Sequence, residues 1–232
     1  MSIVASYVAG DFLVIATDTR VIRKHPGSSE IIDDSSRKLY QTELGWGSGA
    51  GHHDFIKAFF VNLTQCSVGN SRDVRLCYYN TYLWTCQERP GIVEAVNATK
   101  VLFSYIAREG DLFSPRIGVL GKDFFESSTG VLERGNLFVL WPDDISGEVA
   151  GEFNGRYCAL AKDRKEINEI LFIMSGLIRE MSGISKTVSG ICDFGVTVLM
   201  DGALSSFNIR EPAADVEQAC LDGTLNKYIR LC

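Results

Sequence analysis

The first eighteen residues, MSIVASYVAGDFLVIATD, carry two apolar runs, Ile3 to Val8 and Phe12 to Thr17, split by Ala9-Gly10-Asp11. β-rich residues on either side of a Gly-Asp step read as two strands and a turn. Neither run shows a clean in/out alternation. A strand with one face in water alternates polar with apolar residues, so near-continuous apolar runs point to strands covered on both faces. Asp18, Thr19 and Arg20 arrive just as the second strand ends.

The rest of the chain supplies the layers. A polar loop is expected to run to Asp34, and RKLYQTELGWGSGAG then reads as a second hairpin, Lys38 to Gln41 against Leu44 to Ser48. His52 to Cys66 has helical spacing, and a second helix is expected over about Asn80 to Arg108 with a break at Pro90-Gly91. Strands are expected at Arg116 to Leu120, weakly at Phe124-Phe125, and at Leu137 to Trp141. Ile167, Ile170, Leu171, Met174, Leu177 and Ile178 form one stripe of a helix from about Lys165 to Met181. Strands Ile191 to Met200 and Ser205 to Ile209 and a short helix Ala213 to Leu221 close the chain. Groups of strands separated by helices lack the regular βαβ alternation of a doubly wound sheet. They fit an α+β, four-layer α/β/β/α sandwich of two antiparallel sheets with helices outside.

Composition sets the outer limits. With 232 residues, 46% hydrophobic and five Pro, the chain is expected to form one domain, residues 1–232, rather than a disordered segment. No apolar stretch approaches the ~20 residues that span a bilayer, and no basic segment leads into a short apolar core as in a secretory signal. A net charge of −6 argues against a dedicated nucleic-acid binder. These features lead us to expect a cytoplasmic protein that binds neither membrane nor nucleic acid. The seven Cys are odd in number and lack CxxC spacing, so reduced thiols are expected rather than a disulfide framework or zinc knuckle. His52, His53 and Asp54 could suggest a metal, but adjacent side chains diverge on a helix, and the cluster reads better as a helix start. No metal and no cofactor is implied.

The chemistry begins at Met1-Ser2. Removal of Met before a small residue leaves a serine whose hydroxyl lies beside its own α-amine. Such an amine titrates near ~7.7–8.0 and can act as a general base at neutral pH, which an unshifted lysine cannot. Asp18 ends the second strand and Lys38 begins the third. If these strands are neighbours, the cation lowers the pKa of the amine and the carboxylate holds the cation in place. GWGSGAGHHDF joins a strand to a helix through small residues, a geometry that exposes backbone N–H groups able to stabilise an oxyanion.

These features together resemble the proteasome β-subunit superfamily of N-terminal nucleophile hydrolases, and most of all its bacterial proteasome-like branch, which includes the Anbu proteins. Ser2 and Asp18 are sixteen residues apart, with IATDTR where the family has its Asp-Ser-Arg. RKLY supplies Lys38, GAGHHD supplies Gly49, Ala50, Gly51 and Asp54, and Ser189-Gly190 matches the family's turn before its final strand pair. The resemblance implies Ser2 as nucleophile, Asp18 and Lys38 as its supporting pair, and Ser189 in the hydrogen-bond network around the amine. It implies the backbone near Ala50 and Gly49 as oxyanion donor, a peptide or small amide as substrate, and a homo-oligomer in a ring or stack. The motifs depart from the family in several places. Ser stands for the usual Thr, and Arg37 competes with Lys38 for one position. Lys186 replaces an acidic residue whose part Asp193 could take, and Ala50 replaces a Gly. No propeptide is expected before Ser2, so its amine is expected to be free only if Met1 is removed. A non-catalytic subunit on the same fold remains the alternative.

Overall fold

A computed structural model describes residues 2–25, 28–66, 70–109, 112–122, 130–200 and 203–231. Two antiparallel sheets carry the chain. The first is ordered β10 (Leu137–Leu140), β1 (Val4–Val8), β2 (Phe12–Asp18), β11 (Ile191–Met200), β12 (Ala203–Pro212), β13 (Arg230–Leu231). The second is ordered β5 (Tyr40–Thr42), β6 (Gly45–Ala50), β7 (Lys100–Glu109), β8 (Leu112–Leu120), β9 (Gly130–Val131).

Every residue of β1 and β2 is buried, and the reason is the one the apolar runs imply. Ile3, Ala5 and Tyr7 face one way and Val4 and Val8 the other, the period-two alternation of a strand with both faces apolar. Val4, Leu13 and Ile15 of the first sheet meet Trp46, Leu102 and Ile117 of the second in one core between the sheets. On the far side of the first sheet, Ala5, Tyr7, Phe194 and Val196 pack against α4 (Gly147–Ala161), α5 (Ile167–Ile184) and α6 (Ala213–Leu221). On the far side of the second, Val101 and Phe103 pack against α1 (His53–Gln65), α2 (Ser71–Glu88) and α3 (Val93–Asn97). The result is an α/β/β/α sandwich. No described helix is long and apolar enough to cross a membrane.

Trp46 locks the two sheets together. It is fully buried, its Nε1 donates to the Val196 carbonyl at 3.2 Å, and its ring stands over Gly195. A Cβ at Gly195 would lie 2.3 Å from Trp46 Cγ, so glycine there is what admits the indole. Trp46→Ala is expected to cost about 3–5 kcal/mol, the loss for a large buried aromatic, read as a lower midpoint in urea unfolding.

Three expectations need correction, and one helix, α4, has no counterpart among them. The polar loop to Asp34 contains a separate two-stranded sheet, β3 (Val21–His25) paired with β4 (Ser28–Asp33). Each strand carries only one adjacent apolar pair, Val21-Ile22 and Ile31-Ile32, and β4 is almost wholly exposed, so no alternating or continuous apolar run marks it. The helix expected over Asn80 to Arg108 ends at Glu88, where Pro90 opens a short 3-10 turn, and Lys100 to Glu109 is strand β7. Nine residues of β7 pair directly with β8, and that tertiary pairing overrides the helix-compatible Leu, Ala, Arg and Glu of its sequence. Helix α4 carries three glycines, at 147, 151 and 155, and they blur its apolar stripe. Lys38 precedes β5 instead of lying in it, and the strand after it belongs to the other sheet, so β2 and the Lys38 segment are not sheet neighbours. The weak strand at Phe124-Phe125 lies outside the described residues.

Candidate active site

Asp18 and Lys38 meet across the sandwich. β2 ends at Asp18, whose side chain is fully buried, and the segment entering β5 delivers Lys38, 5% exposed, from the opposite sheet. Lys38 Nζ donates to Asp18 Oδ2 at 3.0 Å and to Ser2 Oγ at 2.6 Å. Arg37, the competitor for this position, is exposed. The Lys38 segment is held from below by Ser48, whose Oγ donates to the Lys38 carbonyl at 2.9 Å.

Asp18 is the hub of the site. Its carboxylate accepts from the backbone N–H of Ile3 at 3.2 Å, Arg20 at 2.9 Å and Ser189 at 3.4 Å, besides the Lys38 ammonium. The bond from Ile3 fixes the start of β1, and with it Ser2. Burial pushes the Lys38 ammonium below its ordinary pKa, with Asp18 opposing the change. A buried lysine with a lowered pKa is closer to the neutral amine that can accept a proton.

Ser189 lies one step further out. Its Oγ accepts from the Thr19 backbone N–H at 3.1 Å, shares a hydrogen bond with Thr19 Oγ1 at 2.9 Å, and donates to the Ile191 carbonyl at 3.1 Å. Its reach to the nucleophile runs through Asp18. Lys186, in the place of the expected acid, is exposed, and Asp193 does not stand in for it. Asp193 Oδ1 accepts from Asn208 Nδ2 at 2.6 Å, its other oxygen has no hydrogen-bond partner among the described residues, and burial raises its pKa.

The residue that anchors this turn is Asp144, which the sequence reading missed. It accepts from Ser185 Oγ at 2.7 Å, Thr187 Oγ1 at 3.0 Å and the Lys186 N–H at 3.0 Å. Burial works to raise its pKa, but the bonds from Ser185 and Thr187 outweigh it and hold the carboxyl below the usual range. Its partners lie some forty residues away, so no local spacing reveals it.

The turn from β6 into α1 closes the other side. Gly49 and Gly51 line the cleft with Ser2, while Ala50 directs its methyl into the core between the sheets. Gly51 has φ +137°, and a Cβ there would come within 2.3 Å of Thr99 Oγ1. Gly51→Ala is expected to destabilise the fold by about 1–3 kcal/mol and to displace the turn, measured by thermal unfolding. His52 caps α1 by accepting from the Phe55 N–H at 3.3 Å, and Asp54 pairs with Arg89 at 3.5 Å. The helix-start reading of these residues therefore holds. Burial lowers the pKa of both His52 and His53.

Ser2, Lys38, the glycine turn and the two histidines open into a cleft of about 730 Å³, roofed by Val21, Ile22 and Ile32 of the β3–β4 hairpin. Tyr40 forms part of its wall. The ring stacks on Phe60 at 4.7 Å, and the buried hydroxyl has no partner among the described residues. Burial, helped by Asp54, pushes that hydroxyl up to about 12, so it stays a neutral phenol. Only its place after Lys38-Leu39 could have singled it out.

No family model matches the chain, and no curated protein matches it. Among solved structures, a Gly-1 mutant of Anbu from Hyphomicrobium sp. strain MC1 superposes with a TM-score of 0.63 at 12% identity, over 98% of this chain and 96% of that one. A second structure of Anbu from the same strain gives 0.60 at 12% identity, over 97% and 96%. From end to end, the chain has the fold of Anbu, the bacterial proteasome-like protein of the N-terminal nucleophile superfamily that the motifs around Ser2, Asp18 and Lys38 resemble.

Proposed function

We propose that the protein hydrolyses an amide bond, most simply a peptide bond, with Ser2 as nucleophile. The observation that carries the reading is the position of Lys38 Nζ, 2.6 Å from Ser2 Oγ and 3.0 Å from Asp18 Oδ2, in the lining of a cleft. Ser2 Oγ attacks the substrate carbonyl carbon as its proton passes to a base. The carbonyl oxygen becomes an oxyanion beside the backbone N–H groups of Gly49 and Ala50. Collapse of this intermediate expels the amine, which leaves with the proton, and an ester remains on Ser2. Water then cleaves the ester and regenerates the serine.

Two groups can serve as base. Once Met1 is removed, the α-amine of Ser2 lies on the nucleophile itself and titrates in the neutral range. Lys38 touches Oγ directly, and burial favours its neutral form. Asp18 orients Lys38, and Ser189 braces Asp18 from behind. The two histidines and the β3–β4 hairpin form the walls that meet the substrate side chain. A cytoplasmic homo-oligomer, a ring or stack of one domain per chain, completes the reading.

The second reading is a non-catalytic subunit of the same fold. Intact mass of protein purified from cells separates the two. Loss of one methionine, followed by a single adduct with a β-lactone or epoxyketone, supports the enzyme. Retained Met1 with no adduct supports the structural subunit.

A further inference from the structure

The cysteines of the outer helical layer have no part in the chemistry at Ser2. Helices α1 and α2 follow one another in the chain and pack antiparallel in register. Asn62 Nδ2 of α1 donates to Thr81 Oγ1 of α2 at 3.0 Å, and Thr81 in turn donates to the Cys77 carbonyl. In an antiparallel pair, one turn forward on the first helix lies opposite one turn back on the second. From Asn62 and Thr81 that step leads to Cys66 and Cys77. Cys66 is the C-cap of α1 and is exposed, while Cys77 is buried on the inner face of α2. The two thiols are close enough to hydrogen-bond to each other. No other pair of the described cysteines lies on facing turns of these two helices.

We propose that Cys66 and Cys77 are a redox pair that closes into a disulfide when the folded protein meets a low-molecular-weight disulfide such as oxidised glutathione. The exposed Cys66 thiolate attacks one sulfur of the small disulfide and releases one thiol, leaving a mixed disulfide on Cys66. Cys77 then loses its proton and attacks the Cys66 sulfur, and the second small thiol departs. Two protein thiols are oxidised by two electrons and one small disulfide is reduced to two thiols, so the exchange balances. Burial and the neighbouring Cys66 push the Cys77 thiol up to about 11, which assigns the first attack to Cys66 and makes the second step the slower one. The bond would staple the last turn of α1 to α2. With 13 residues, α1 places that staple about 20 Å from its first turn, which forms one wall of the cleft. The proposal is independent of any activity at Ser2.

The test is peptide mapping of the full-length folded protein without reduction, after incubation with oxidised glutathione and blocking of free thiols with N-ethylmaleimide. The expected product is a cross-link between the tryptic peptide carrying Cys66 and the one carrying Cys77, reversed by dithiothreitol. Its formation should raise the thermal midpoint by roughly 3–8 °C. Cys86 lies on the same tryptic peptide as Cys77, so Cys86→Ser should keep the cross-link. Cys77→Ser should stop at the glutathione adduct on Cys66, and Cys66→Ser, a change at an exposed position, should give neither product. The proposal is overturned if native protein accumulates the Cys66 adduct without cross-linking. It is equally overturned if the cross-link persists in Cys77→Ser, which would place the bond at Cys86, or if it forms only after the protein is unfolded.

Discussion

Ser2→Ala is expected to abolish hydrolysis, with a fall of roughly 10⁴-fold or more in kcat, while the protein folds as before. The size follows from the chemistry. Without Oγ no acyl-ester forms, and what remains is catalysis by oriented dipoles alone, which keeps only a small part of the acceleration in hydrolases of this kind. The intact fold follows from the position of the residue. Ser2 precedes β1, is partly exposed, and its hydroxyl accepts one bond from Lys38. The alanine removes that bond and leaves Lys38 paired with Asp18. Ser2→Thr should retain activity, because the hydroxyl stays beside the amine and the added methyl limits its rotamers. The measurement is adduct formation with a β-lactone, read by intact mass, together with peptide hydrolysis. A Ser2→Ala protein that hydrolyses as fast as the parent would remove Ser2 from the mechanism, and a parent lacking Met1 that never forms an adduct would do the same.

The constellation was legible because its parts sit at strand ends, where spacing along the chain becomes position in space. Apolar runs located β1 and β2, and Asp18 follows as the first charge after the second run. The Ser2 to Asp18 interval is a hairpin length, so antiparallel pairing returns Asp18 to the start of β1, where its carboxylate meets the Ile3 N–H. Lys38 was legible as a residue, but the neighbour invoked for it was wrong. It reaches Asp18 across the sandwich, and a contact between sheets leaves no period in the sequence.

What stayed hidden has physical causes. The β3–β4 hairpin is exposed, and β7 takes its identity from its partner β8. Asp144 and Tyr40 act through contacts with residues distant in the chain. Asp144 binds the Ser185–Thr187 turn, and Tyr40 stacks on Phe60 of α1. The helices α5 and α6, in contrast, follow from one apolar face each, which covers the first sheet.

Replacement of Lys38 tests the base. Lys38→Ala is expected to slow acylation by roughly 10²–10⁴-fold, the range for loss of a positioned acid–base group. It should also move the onset of activity to higher pH, because the cation that lowers the pKa of the Ser2 amine is gone. Lys38→Arg separates the two roles that remain. Arginine keeps a cation beside Asp18 but does not give up its proton, so a substantial recovery of rate makes the α-amine the base, and none makes it Lys38. Stability supplies an independent readout. Removing Lys38 leaves the buried Asp18 carboxylate with three backbone donors and no countercharge, which should cost about 3–5 kcal/mol. The pH dependence has a definite sign. Burial holds the Lys38 pKa in the folded protein below its ordinary 10.5, so between the two values the unfolded chain binds more protons than the folded one. The contribution of Lys38 to stability therefore rises with pH through the alkaline window that ends near 10.5. The difference between parent and Lys38→Ala unfolding free energies should grow across that window. A difference that stays flat or shrinks with rising pH would mean that Lys38 is not held toward its neutral form, and would leave the amine of Ser2 as the base.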